Sequence, residues 1–251
     1  ADAPHEIFDD VLEELLVSGE IKVWKAREIV QNLIKKEPIV TDEFDAVTPG
    51  KVILLGEHSV VYGRHAIAVP VPLNIRVKIE DADDGVLLMI PSWGVEYYLD
   101  KKPEERQSFE KPAALILEKM NLSNVGMKIE VFSDVPRGMG LGGSAVLAVS
   151  IIKALNHHYK MGLSEQEINE MAYESEKIAH GNPSGIDNTI ATYGYPLIYR
   201  KGEKTLKERL QIKEPLDLVL AFSKSEGLTA KTVAHVRTQW MTGQCVWKAV
   251  P

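Results

Sequence analysis

The stretch "DVPRGMGLGGSAV", Asp134 to Val146, places four glycines in six positions and then runs directly into an apolar segment. From Ser144 to Tyr159 the sequence reads "SAVLAVSIIKALNHHY", with apolar residues on nearly every side instead of along one stripe. That distribution predicts a buried helix. Glycine lets backbone N–H groups approach a ligand closely, and a helix start leaves about four such donors unpaired beside a partial positive charge. A loop that opens such a helix is built to receive an anion, phosphate above all.

Three phosphate loops compete for these residues. The Walker pattern requires a lysine after its last glycine, whereas Gly143 is followed by Ser144, which excludes an ordinary P-loop. The dinucleotide fingerprint G-x-G-x-x-G is met formally at Gly138, Gly140 and Gly143. It also needs a second parallel strand that ends in an acidic residue roughly 20 positions on. That region instead reads as helix: Ser164 and Glu167 form a capping box, and Ile168, Met171, Ala172, Ser175 and Ala179 recur at helical spacing. The third pattern, P-x-G-x-G-L-G-[SG]-S-A, belongs to a separate class of small-molecule kinases and fits Pro136 to Ala145.

A formal charge of −7 argues against a nucleic-acid-binding surface, so any anion site must be made by local cations and backbone donors. The lone Cys245 allows no internal disulfide. No apolar run approaches the roughly 18 residues of a membrane span, and the opening "ADAPHEIFDD" lacks the features of a signal peptide. The expectation is a soluble cytoplasmic protein.

Along the chain, residues 1–40 read as an N-terminal extension of two short helices, the second carrying Trp24, Ile29, Val30 and Leu33. From Phe44 the character changes to strand: "FDAVTPGKVILLGEH", "AIAVPVPLNIRVKIED" and "GVLLMIPSWGVEYYL", with a turn at Asp81 to Gly85. A helix at "PAALILEKM", the strand "VGMKIEVF", the glycine loop and the two helices follow. Then come "NTIATYG" and "YPLIYRKG", read as a strand pair, and "LDLVLAF", read as a buried strand. Strands first and helices clustered later favour an α+β layered fold over a regular βαβ series.

Two further stretches concentrate chemistry at element ends: "TPGKVILLGEHSVVYG" and "EKIAHGNPSGIDN". Together with the glycine loop they resemble, in order and approximate spacing, the signature segments of the GHMP small-molecule kinases, and among those the mevalonate kinases. The resemblance covers about Thr48 to Tyr195. It implies a GHMP amino-terminal domain over residues 41–214, with a mixed sheet and helices in two layers, followed by a truncated start of the carboxy-terminal domain over 215–251. A third glycine-rich motif of the family is not recognisable, and the tail 236–251 does not align.

The resemblance implies ATP and Mg²⁺ as cofactors and mevalonate as substrate, phosphorylated at its 5-hydroxyl. No nucleic-acid or membrane partner is implied, and a homodimer is allowed. Asp187 would orient or deprotonate the alcohol, with Lys51 beside it. Whether Asp187 takes the proton early or acts mainly through its charge stays open. Ser144 and Glu176 would hold Mg²⁺, although on the helical wheel alone Glu176 falls at the edge of the apolar stripe, where a surface position is favoured and only the resemblance turns it toward a site. Gly138, Met139, Gly140, Leu141, Gly142 and Gly143, with Ser144, would line the triphosphate. Glu57, His58 and Thr229 would lie on the substrate side. His180 and Ser184 would shape the loop, and Asn182, Pro183 and Gly185 would set the turn that presents Asp187. The family loop usually carries two serines where this chain has Gly143-Ser144, so one hydroxyl contact is lost. Two other readings stay open: a kinase of another small alcohol, and a nucleotide-binding relative without turnover.

Overall fold

The computed structural model describes residues 21–24, 43–99, 110–202, 205–212 and 218–221. Within them lie strands β1 (Ile21–Trp24), β2 (Ala46–Leu55), β3 (His65–Asp81), β4 (Val86–Ile90), β5 (Val95–Tyr98), β6 (Met127–Ser133), β7 (Leu197–Arg200), β8 (Leu206–Arg209) and β9 (Leu218–Ala221). The helices are α1 (Glu110–Lys119), α2 (Gly143–His158), α3 (Glu165–His180) and α4 (Ile186–Tyr193).

The main sheet runs β5-β4-β6-β3-β7-β8, with β2 paired to β3 outside that path. It is mixed: β4 and β6 are parallel, and the remaining pairs are antiparallel. The 17-residue β3 organises it. Ile67 and Ala68 pair with both β2 and β7, whereas Ile75, Arg76 and Val77 pair with both β2 and β6. A strand residue has only two neighbours, so β6 and β7 share the edge of β3 opposite β2, one at each end. Pro70 and Pro72 fall in the interval between them, where a missing N–H costs no ladder bond to either strand.

Alternation explains the layering. Ile75, Val77 and Ile79 of β3 and Met127, Ile129 and Val131 of β6 are buried beneath the helices. The intervening Lys78, Glu80, Lys128 and Glu130 form an ion-pair ladder on the outer face. Helix α2 lies centrally, against β2 and β3 and beside α1, α3 and α4. It is buried from Ala145 to Ile152 and again at Ala154 and Leu155, in agreement with its all-round apolar sequence. Its far end is tethered: His157 and His158 bring Nδ1 to 3.3 and 3.4 Å from Asp45 Oδ1, and His158 Nε2 lies 3.3 Å from Asp81 Oδ1. No helix among the described residues is long and apolar enough to cross a membrane.

Two expectations are corrected. Residues 21–24, read as part of a helix with Trp24 on its apolar face, are a strand that pairs antiparallel with β9. "IKVW" has strand-forming residues at three of its four positions, and the ladder partner decides. The rest of residues 1–40 lies outside the described residues. "NTIATYG" is not a strand but helix α4, bracketed by Gly185 and Gly194 in left-handed conformations. Its Thr, Ile and Tyr content suits a strand locally, yet Ile186 and Ile190 sit four apart and bury together against Ala66, Ala68 and Leu197. "YPLIYRKG" therefore contributes β7, which pairs with β3 and β8.

Candidate active site

Four elements converge at the start of α2. Gly138, Gly140 and Gly142 alternate along the loop with positive φ, and Gly142 caps the helix without a side-chain bond. The first helical bond runs from Val146 N–H to the Gly142 carbonyl at 2.9 Å. The N–H groups of Gly143, Ser144 and Ala145 thus have no acceptor inside the helix. A Cβ at Gly140 would meet nothing within 4 Å, so the cradle is open there. At Gly142 the opposite holds, because a Cβ would lie 2.9 Å from Lys51 Cε and 3.0 Å from Lys51 Cγ. Leu141 is buried, and its carbonyl accepts from Lys51 N–H at 3.3 Å, which pins the loop to β2. Trp93 supports the loop's approach by donating Nε1–H to the Val135 carbonyl at 3.1 Å.

Lys51, on β2, is 4% exposed, and its ammonium lies 3.0 Å from Asp187 Oδ1. Asp187 stands on the first turn of α4, next to the inward-facing Ile186. Its Oδ1 accepts no geometrically proper hydrogen bond among the described residues, so the contact with Lys51 is a charge contact and not a directed bond.

Beside this pair, Ser144 Oγ donates to Glu176 Oε1 at 2.6 Å. Glu176 is buried, and burial pushes its carboxyl up to about 7. The Asp187 charge pushes in the same direction, whereas the Ser144 hydrogen bond and the Lys51 charge oppose it. That mutual influence places the two pairs in one electrostatic neighbourhood. His180 Nε2 approaches Glu176 Oε2 at 3.7 Å. Burial lowers the His180 pKa against the field of Asp187, which keeps the ring toward its neutral form.

The loop before Asp187 is held from outside. Tyr199 donates its hydroxyl to the Ser184 carbonyl at 2.9 Å. Lys201 Nζ donates to Asn182 Oδ1 at 2.7 Å and to the Pro183 carbonyl at 2.8 Å. A Cβ on Gly185 would lie 2.6 Å from the Tyr199 hydroxyl, so only glycine fits that turn at φ +87.

Just past the end of β2, Glu57 is exposed and His58 half-buried. Neither side chain forms a hydrogen bond or ion pair with another described residue. His58 has φ 59 and ψ −40, and Ser59 N–H donates across it to the Glu57 carbonyl at 2.7 Å. This is a γ-turn of the rare positive-φ kind, which stores strain. Thr229 lies outside the described residues.

The arrangement is a buried cation and a partly exposed carboxylate beside an open run of backbone donors, with a hydroxyl–carboxylate pair next to them. It can hold a polyanion and present a general base. Residues 108–195 match the family described as GHMP kinases N terminal domain. A mevalonate kinase of Pyrococcus furiosus is 36% identical over 210 residues, which is 78% of this chain and 62% of that protein.

By the family match the chain carries a GHMP kinase amino-terminal domain. The chain spans less than two thirds of the length of the curated relatives it matches. Among solved structures, L. major mevalonate kinase in complex with R-mevalonate is similar, with a TM-score of 0.63 and 26% identity over 85% of this chain and 67% of that one. Methanococcus jannaschii mevalonate kinase has a TM-score of 0.57 and 29% identity, covering 65% and 55% of the two chains.

Several residues that support this site have no motif to announce them in the sequence. Asn188 donates to the Asn169 side-chain oxygen at 2.7 Å, and Thr189 Oγ1 to the Gly185 carbonyl at 2.6 Å, inside the protein. Lys153 donates to two carbonyls at the end of α4. Lys153 did leave a signal: it is the sole charged residue between Ser144 and Asn156, and an ammonium on so apolar a helix has to find acceptors.

Proposed function

We propose that this protein transfers the γ-phosphoryl group of ATP to the 5-hydroxyl of mevalonate. The observation that carries the reading is the 3.0 Å contact between Lys51 and Asp187 at the edge of the glycine cradle. The similarity to mevalonate kinases across most of the chain favours mevalonate among small alcohols.

In this reading the loop from Gly138 to Gly143 and the free N–H groups of α2 take the β- and γ-phosphates. Asp187 accepts or orients the proton of the substrate hydroxyl, a role worth about 10²–10⁴-fold in rate. Lys51 neutralises the substrate carboxylate and the charge developing on the attacking oxygen. Phosphoryl transfer needs little beyond such positioning and neutralisation. Glu57, His58 and Thr229 are assigned to the substrate side.

Ser144 and Glu176 fit Mg²⁺. They are hard oxygen donors 2.6 Å apart, the ligand type of an ion that keeps water and phosphate oxygens for most of its positions. When bound, Mg²⁺ would neutralise the phosphate charge. The domain division at residues 41–214 and 215–251, and a cytoplasmic location, belong to the same reading.

Isotope-detected phosphorylation of mevalonate by the full chain tests it, with wild type set against Asp187→Asn. Mevalonate-dependent turnover that falls at least a hundredfold in the variant is the expected result. ATP binding without turnover would leave a nucleotide-binding protein, and faster turnover of phosphomevalonate, homoserine or galactose would reassign the substrate.

A further inference from the structure

Helix α4 carries Asp187 but is only 8 residues long. A helix of that length is not stable alone, so its direction is inherited from the groups that grip it. Tyr199 and Lys201 hold the loop before it, and Asn169 holds its middle through Asn188. Its far end is held by Lys153, whose Nζ donates to the Thr192 carbonyl at 2.7 Å and to the Ala191 carbonyl at 3.3 Å. These carbonyls belong to the last turn, where no further helical N–H reaches them. A cation there also meets the negative end of the helix dipole.

Lys153 differs from the other grips in its origin, because it projects from α2, the helix whose first turn presents Ser144 and the phosphate-facing N–H groups. Ser144 and Lys153 are nine residues apart, a span of about 13 Å of rigid helix. From Thr192 back to Asp187 is five residues, about 7 Å. The two helices are thus joined at one end and present their functional groups at the other.

We propose that Lys153 is a positioning residue for phosphoryl transfer: by tying the end of α4 to α2, it fixes the distance from Asp187 to the phosphate cradle. The proposal rests on the phosphotransfer reading of the site. Without Lys153, two carbonyls lose their donor, and α4 can shift on the apolar seat that Ala66, Ala68 and Leu197 form for its Ile186 and Ile190. A displacement of about 1 Å at a reacting group costs roughly a hundredfold in rate.

The experiment measures kcat and the KM for ATP in the full chain for wild type, Lys153→Met, Lys153→Arg, Asp187→Asn and the Lys153→Met/Asp187→Asn double variant. Lys153→Met is expected to lower kcat about 30- to 100-fold with the KM for ATP within about twofold. Arginine, which can donate to both carbonyls, should recover most of the loss. In the Asp187→Asn background Lys153→Met should cost less than about twofold, since a residue that acts through Asp187 has nothing left to position. Equal losses in both backgrounds, or no recovery with arginine, would overturn the assignment. Amide hydrogen exchange supplies a reading without catalysis and needs only the arginine variant and wild type if the methionine variant does not fold. Exchange over residues 188–194 should quicken in Lys153→Met, or be intermediate in Lys153→Arg, while residues 146–152 stay unchanged. Unaltered exchange over 188–194 in these variants overturns the tie itself. A wild type without mevalonate-dependent turnover instead removes the phosphotransfer reading, and the catalytic role of Lys153 with it.

Discussion

Ser144 and Glu176 meet across 2.6 Å, hydroxyl to carboxylate, and so join the first turn of one helix to the last turns of the next. The bond sits where burial has already pushed the Glu176 carboxyl from 4.5 up to about 7.

The shift has a definite sign. Below about pH 4.5 the group is protonated in both folded and unfolded chains, and the folded state bears no penalty. As pH rises through about 7, the folded state must hold a buried charge that the unfolded state carries in water. Stability is therefore greatest below the unfolded value and is lost as pH climbs through the folded one, by at most about 3 kcal/mol. Thermal unfolding of wild type and Glu176→Gln in metal-free buffer should show the variant gaining on wild type between about pH 5 and pH 8. Adding Mg²⁺ and ATP should favour wild type at the higher pH.

The two loop glycines predict different losses. Gly142→Ala meets both a positive φ and the Lys51 side chain at 2.9 Å, whereas Gly140→Ala meets the same backbone cost in open space. The first should lower kcat/KM about a hundredfold by displacing Lys51 from Asp187. The second should cost stability by about 1 kcal/mol and activity far less. Steady-state kinetics on both proteins decides the order.

Strain at His58 sets stability against function. Glycine adopts φ 59 and ψ −40 without a Cβ penalty, so His58→Gly should raise the unfolding free energy by about 1 kcal/mol. The same change removes a side chain assigned to the substrate side, so the KM for mevalonate should rise. Chemical denaturation and kinetics on one preparation test both halves.

Ser164 supplies a control away from the chemistry. It accepts from Glu167 N–H, and Glu167 reaches back to its backbone. Ser164→Ala should cost about 1 kcal/mol in denaturant melts and leave kcat unchanged.

How much was legible in the sequence follows from the range of the interactions. The capping box at Ser164 and the loop from Gly138 to Gly143 depend on neighbours a few residues away, and both are readable in a single line of text. Glu176 sits at the margin of its helix's apolar stripe, and only a partner 32 residues distant, Ser144, decides that it is buried. The α4 segment was misread because Thr, Ile and Tyr favour a strand, while the grips that keep it helical, Asn169 and Lys153, come from other helices. Of the attachment of β6 and β7 to the same edge of β3, the sequence shows only Pro70 and Pro72 in the interval between them, which do not say which strands flank it.

The ladder between β1 and β9 carries a consequence for how the molecule is made. Ile21 pairs with Ala221, so the partner of β1 is translated only after every other strand and helix described above. Contacts across so long a loop form late in folding. During synthesis "IKVW" waits as an unpaired edge, and a chaperone that shields such edges is best placed to act there.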